Sequence, residues 1–247
     1  MTHLDAFEAL VLRRQATRDF LPDAVDPDLL ARLLRCAQRA PSGYNLQPWV
    51  CVVITDPKQR AALCKAALGQ RQVHEAPTVV VFAASTRPAA RLRDIVEQGV
   101  SSGHWPVAYA QGFLARYVRV RLGLPWLSPV LALGARMVGL FRPSPDIPAT
   151  RAARAAYATK QLMLAVDHFL LAATAAGVAT CPMEGIDPAR VRRVAGLPRH
   201  YVVPVIVPLG YAASTPARSP RLPLHTVAFD GRYGATWRAA QDQAPPR

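Results

Sequence analysis

Ala40-Pro41-Ser42-Gly43-Tyr44-Asn45-Leu46-Gln47-Pro48-Trp49, continued without a break by Val50-Cys51-Val52-Val53-Ile54-Thr55, is the passage on which the fold turns. Two prolines, a glycine and an asparagine make its first half a stiff, hydrogen-bonding loop suited to gripping a ring. The β-branched run that follows has the composition of a buried strand. Before the passage, Leu29, Leu30, Leu33, Leu34 and Ala37 recur at helical spacing, and Asp26-Pro27 offers an N-cap with a first-turn proline. The local unit is therefore a helix that stops at Pro41, a rigid loop, and a strand.

Further upstream, Leu4, Phe7, Leu10 and Val11 mark a helix that gives out near Gln15. Arg14-Gln15-Ala16-Thr17-Arg18 then sits where helix becomes extended chain and offers two guanidiniums to a phosphate or another polyanion. Downstream, Asp56-Pro57 opens a helix, and Thr78-Val79-Val80-Val81-Phe82-Ala83 repeats the strand signature. Tyr201 to Gly210 is a third strand whose Pro204 and Pro208 point to a sheet edge or an interrupted ladder. The longest helical signal, about 150–176, has no internal Gly or Pro and is apolar nearly all round in its second half, as expected of a central buried helix. His168 falls on it as a buried or interface residue, and Gly177 is its natural stop. Three strands among many helices indicate α+β or α/β architecture.

A chain of 247 residues, 51% hydrophobic, can bury a full core as a single decorated domain over 1–247. The N-terminal residues carry acids where a signal peptide needs basic groups, so a cytoplasmic location is expected. Cys36, Cys51, Cys64 and Cys181 show no metal-ligand spacing and read as buried reduced thiols, with no metal site. A formal charge of +14, mostly arginine, favours anionic partners. Residues 87–148 differ in character: Arg116, Arg119, Arg121 and Arg136 break apolar stretches before these reach the roughly 20 residues of a membrane span. The plainest expectation is a helical insertion packed over the core. A sharper one is a lid that brings Trp105, Tyr109, Phe113, Tyr117 or Trp126 against an aromatic substrate, and a third is an interfacial helix resting on anionic membrane. From about residue 212 the Pro-, Ser- and Arg-rich chain reads as an extended arm, and 238–247 has little to bury.

No Gly-x-Gly-x-x-Gly, Gly-Lys-Ser/Thr loop, His-Glu-x-x-His or Gly-x-Ser-x-Gly is present in the sequence. What stands out instead is four segments in order: Arg14 to Arg18, Pro41 to Trp49, Cys181-Pro182-Met183-Glu184-Gly185, and Ser219-Pro220-Arg221-Leu222-Pro223. Together they resemble the flavin-dependent nitroreductase family, with a likeness covering 4–86 and 150–224.

The resemblance implies an α+β fold of three layers, α/β/α, with a mostly antiparallel sheet. It also implies a homodimer holding FMN at its interface. Arg14, Arg18 and Arg221 match phosphate-binding positions, with Gln15 and Ala16 in the same motif; guanidinium forks suit phosphate oxygens. Pro41, Ser42, Gly43 and Asn45 match a loop that reaches the flavin of the other subunit, and Gln70 a contact to the pyrimidine edge. Pro182, Met183, Glu184 and Gly185 match the segment beside the ring, whose N–H groups face the redox-active nitrogen. His74, near Gln70, is a further candidate for the cavity. The implied chemistry is ping-pong hydride transfer from NADPH or NADH to a nitroaromatic, quinone or similar small planar acceptor, with no nucleic acid involved. Ala16 stands where the family often has Ser, Gln15 where a basic residue or His is common, and Ser219 where Lys is frequent. Two alternatives are a flavin-fragmenting relative of the same fold and a non-enzymatic basic protein for membrane or nucleic acid.

Overall fold

The computed structural model describes residues 2–238. Thr2 caps the first helix, α1 (His3–Arg13), in a reciprocal box with Asp5. Asp26 caps α2 (Pro27–Gln38) by accepting from the N–H groups of Asp28 and Leu29. A single 3₁₀ turn, Gly43–Asn45, leads into β1 (Trp49–Ile54). Asp56 starts α3 (Pro57–Ala66), followed by α4 (Arg71–Glu75) and β2 (Thr78–Ser85). The 87–148 stretch folds into α5 (Leu92–Ser101), a π-helical turn Ala108–Leu114, α6 (Ala115–Val118), a second π-helical turn Arg119–Gly123, and α7 (Ser128–Gly139). The long helix α8 (Arg151–Ala175) ends at Gly177, whose φ of +71° closes the turn. Then come β3 (Ala179–Thr180), α9 (Pro188–Val194) and β4 (Tyr201–Gly210).

The sheet is antiparallel throughout, in the order β1-β2-β4-β3. Strand alternation sorts β2 between two cores. Val80, Phe82 and Ala84 pack with Leu30 and Leu33 of α2 and Leu162, Val166 and Phe169 of α8. Val79, Val81 and Ala83 pack on the other side with Leu63 of α3, Val73 of α4 and Val191 of α9. The result is α+β in three layers. A third cluster, Leu92, Ile95, Val96, Leu114, Val118 and Leu122, holds the insertion together and also takes in Leu46.

Two expectations need correction and a third is resolved between its alternatives. Of a sheet edge and an interrupted ladder, β4 shows the second, since it lies between β2 and β3. The ladder tolerates its prolines because the register shifts opposite Phe82 and Ala84, which leaves Val203 and Pro204 in a bulge. Pro208 accepts from the Cys181 N–H at 3.0 Å but has no N–H to return, and β3 ends there. α8 is buried along one side only: Leu164, Asp167 and His168 are exposed, and the His168 ring Nδ1 lies 2.8 Å from the Leu164 carbonyl. Finally, Cys36 is exposed, whereas Cys64 and Cys181 are buried.

The fold divides into one compact unit ending at Thr215 and a second beginning at Pro216. Within the second, a 3₁₀ turn at Leu224–Thr226 precedes a bridge between Phe229 and Thr236. The expectation for 238–247 falls, beyond residue 238, outside the described residues. Among the described residues no helix is long and apolar enough to cross a membrane, and no three His, Cys, Asp or Glu side chains gather at metal-binding distance.

Candidate functional site

The sequence-predicted residues of the first unit fall into two groups. The first is built on the β3 edge of the sheet. After α1 the chain runs extended, Ala16 bridges Thr180 in parallel, and the Thr17 N–H donates to the Thr180 carbonyl at 2.9 Å. Arg18 is thereby held near Cys181, with Arg14 two residues before the bridge, and neither arginine makes an ion pair among the described residues. Burial pushes the Cys181 thiol pKa up, and the Arg18 guanidinium nearby pulls against that shift. Gln15 between them has its side-chain oxygen buried with no donor among the described residues.

Two residues beyond Cys181, Met183 exchanges both backbone hydrogen bonds with Ile206, at 2.9 and 3.0 Å, which fixes the segment to β4. Glu184 and Gly185 then leave the sheet. Gln70 reaches them from the N-terminus of α4: its Nε2 donates to the Gly185 carbonyl at 2.7 Å and to the Ala67 carbonyl at 3.1 Å. The Glu184 and Gly185 N–H groups have no acceptor among the described residues, and both residues are exposed. The result is a ledge with two free donors at one end and two uncommitted guanidiniums along its flank.

The second group is the Pro41–Gln47 loop. Its Gly43 N–H donates to Gln161 Oε1 on α8 at 2.7 Å, and Ser42 Oγ accepts from the Gln47 N–H at 3.0 Å. Tyr44, Asn45 and Gln47 all have positive φ, of 56, 53 and 43°. Such backbone is costly for residues other than glycine and persists where its surroundings enforce it. The loop walls a cleft of about 930 Å³ with Pro41, Ser42 and Asn45 on one side and Trp105 and Tyr109 on the other. Tyr109, Phe113 and Tyr117 stack successively, with ring centroids 5.9 and 5.5 Å apart, and Tyr117 meets Tyr44 edge-on at 5.8 Å. Arg121 locks this end by donating to the Tyr44 hydroxyl at 2.8 Å and to the Asp146 carbonyl.

These groups stand apart within one chain. Trp49, where the loop enters the edge strand β1, pairs with Ala84 of β2; Thr180 lies on the other edge and pairs with Leu209, which pairs with Thr78. That is three strand spacings across, roughly 14 Å, and six residues along, roughly 20 Å. Of the remaining candidates, His74 is exposed and lines a different cavity with Phe20, Arg60 and Pro77. Phe113 and Trp126 are 59% and 76% exposed, and both lie outside the cleft lining. Arg221 belongs to the second unit, where its Nη1 donates to the carbonyls of Ser219 and Pro220.

Sequence reasoning missed Gln161, Tyr157 and Arg121, which position the loop. A signal existed for the first two: they are polar-tipped residues four apart on the buried stripe of α8, where an aliphatic pattern has no use for them.

Known proteins match this arrangement along most of the chain. A "NADH dehydrogenase" of Thermus thermophilus is 36% identical over 227 residues, covering 92% of this chain and 96% of that protein. An "oxygen-insensitive NAD(P)H nitroreductase" of Salmonella typhimurium is 27% identical, covering 89% and 96%. Among solved structures, a protein from Exiguobacterium sibiricum in complex with FMN superposes with a TM-score of 0.71 at 21% identity, covering 90% of this chain and 95% of that one. The sequence model of the nitroreductase family spans residues 11–211, from the end of α1 through the ledge and β4, and this chain belongs to that family.

Proposed function

We propose that this chain is an FMN-dependent NAD(P)H oxidoreductase that reduces nitroaromatic, quinone or related planar acceptors. Turnover is ping-pong: the nicotinamide donor leaves before the acceptor enters the same cavity. The observation that carries this reading is the ledge, where Gln70 holds the Gly185 carbonyl and leaves two N–H donors free. When bound, FMN supplies hydride-transfer chemistry.

The residues fit that group. Arg14 and Arg18 are uncommitted guanidiniums suited to its phosphate, and Arg221 joins them on the strength of its motif alone. The buried oxygen of Gln15 is an acceptor in want of a donor, which a ribityl hydroxyl of the bound group would supply. The Glu184 and Gly185 N–H groups would donate to the ring edge of a bound flavin and would stabilise negative charge there, as donors in an oxyanion hole do. Gln70 fixes the ledge they stand on. Trp105 and Tyr109 give the acceptor an aromatic wall.

The same reading takes the enzyme as a homodimer. The separation of ledge and loop supports it, since two chains related by a two-fold axis can bring the ledge of each to the loop of the other. The surface supports it too: α1 buries no residue within the chain, and Leu4, Phe7, Val11 and Leu12 are 44–63% exposed. Continuous apolar surface of this kind marks an interface.

Purified protein tests the proposal. The expected result is a yellow, FMN-containing dimer bleached by NADPH or NADH and reoxidised by a quinone. A colourless protein that ignores added FMN would sink it. Unchanged FMN affinity in an Arg14→Ala, Arg221→Ala variant would reject the phosphate assignment alone.

A further inference from the structure

Arginines also converge where no part of the flavin reading uses them. Arg87 follows β2, Arg199 and His200 precede β4, and Arg151 and Arg154 occupy the first turn of α8; with Thr86 and Pro125 they line a cavity of about 330 Å³. No acidic side chain is among its walls, and none of the four arginines makes an ion pair among the described residues. Like charges brought together this way repel and need a counter-charge.

The helix end adds to that demand. The N-terminus of a 25-residue helix carries partial positive charge and ordinarily attracts acids, yet the first turn of α8 has no acid and two arginines. Thr150 satisfies only the Ala153 N–H there. The walls are fixed before any ligand arrives: Arg151 Nη2 donates to the Arg199 carbonyl at 2.6 Å, Arg154 Nη1 to the Ala149 carbonyl at 3.0 Å, and Thr86 donates through both N–H and hydroxyl to the His200 carbonyl. Arg154 Nε, however, is buried with no acceptor among the described residues. A buried guanidinium N–H without a partner is costly, and an anion in the cavity is the group that would satisfy it.

We propose that this cavity binds a multiply charged phosphoryl compound of the diphosphate class, separate from the flavin phosphate. Several guanidinium forks suit a diphosphate better than a single carboxylate, because each fork takes two oxygens in one plane.

The test is calorimetric titration of the full chain, as purified, with pyrophosphate, ADP and inorganic phosphate. Saturable pyrophosphate binding is expected, weakened at least tenfold in Arg87→Gln, Arg199→Gln and unchanged in Arg190→Gln, Arg193→Gln, a control that removes equal charge from α9. The altered side chains are exposed, so both variants should fold. Binding of ADP as tight as that of pyrophosphate identifies a nucleotide as the source, and weaker binding identifies the free diphosphate. Absence of saturation, retention in the cavity variant, equal loss in the control, or tighter binding of inorganic phosphate would each overturn the proposal. So would competition by FMN, which would put pyrophosphate in the flavin phosphate site, or a preference for duplex DNA lost in the same variant.

Discussion

Gly43 donates its N–H to Gln161, 118 positions later in the sequence, at 2.7 Å, and a Cβ at Gly43 would meet the Tyr157 hydroxyl at 2.6 Å. The loop therefore lies on α8 with no room for a side chain. Gly43→Ala forces either the ring of Tyr157 or the loop to move, at a cost of about 1–3 kcal/mol. Tyr157→Phe alone should be neutral or slightly stabilising, since its buried hydroxyl has no partner among the described residues. Combined with Gly43→Ala it should recover much of the loss, because the clashing atom is gone. Thermal unfolding of the two single variants and the double variant measures this. Additive losses would show that the hydroxyl is not what limits the loop.

At the other group the corresponding contact is Gln70 to Gly185, at 2.7 Å. Gln70→Leu keeps the bulk, removes the donor and frees the ledge. FMN affinity is expected to fall about tenfold, since one hydrogen bond to a neutral group is worth about 1 kcal/mol and the loosened ledge adds to it. Fluorescence titration with FMN reads the loss, and Gln70→Glu, which places a carboxylate against a carbonyl, should do worse still. Equal affinity in all three proteins would remove Gln70 from the site.

Much of this was legible in the sequence, for identifiable reasons. Asp26-Pro27 and Asp56-Pro57 are caps whose chemistry is local, so the helices they open could be placed from a few residues. β2 was visible because all eight of its residues are buried, giving an unbroken apolar run. β3 was not, since two residues carry no periodicity and it exists only through pairing with β4. The place of β4 inside the sheet was hidden for a related reason: a bulge that accommodates Pro204 is a property of the pair, not of the strand. Arg121 was unreadable as a site residue because its partner, Tyr44, lies 77 positions away, and Gln161, though out of place on an aliphatic stripe, could not be matched to Gly43, 118 positions away.

Alkaline stability should depend on Cys51. Its thiol lies partly buried on the edge strand β1, and burial pushes its pKa from an ordinary value of 9.0 up to about 12. The folded state therefore holds a proton that the unfolded state gives up. This contribution is fully present below about pH 9 and is lost as pH rises toward 12, on the order of 4 kcal/mol at most. Tyr44 and Tyr157, both raised by burial, act in the same direction. Cys51→Val should flatten the decline in denaturant midpoint between pH 9 and 11, and a decline as steep as in the unaltered protein would show that Cys51 does not govern it. At pH 8 a thiol reagent should modify exposed Cys36 and spare Cys51.

The insertion supplies the last comparison. Trp105 and Tyr109 both line the cleft, but Trp105 also covers Gly99, where a Cβ would collide with its ring, so its removal disturbs α5 as well as the cleft. Tyr109, 42% exposed and set between Trp105 and Phe113 in the aromatic column, is the cleaner probe. Tyr109→Ala removes one stacking face worth about 0.5–1.5 kcal/mol. Two- to tenfold higher KM for a quinone is therefore expected, with kcat and the rate of reduction by NADPH or NADH nearly unchanged. Trp126→Ala, outside the cleft lining and 76% exposed, should leave all three values alone. If Trp126→Ala changes KM and Tyr109→Ala does not, the acceptor lies against the turn before α7 and not against the Pro41–Gln47 loop.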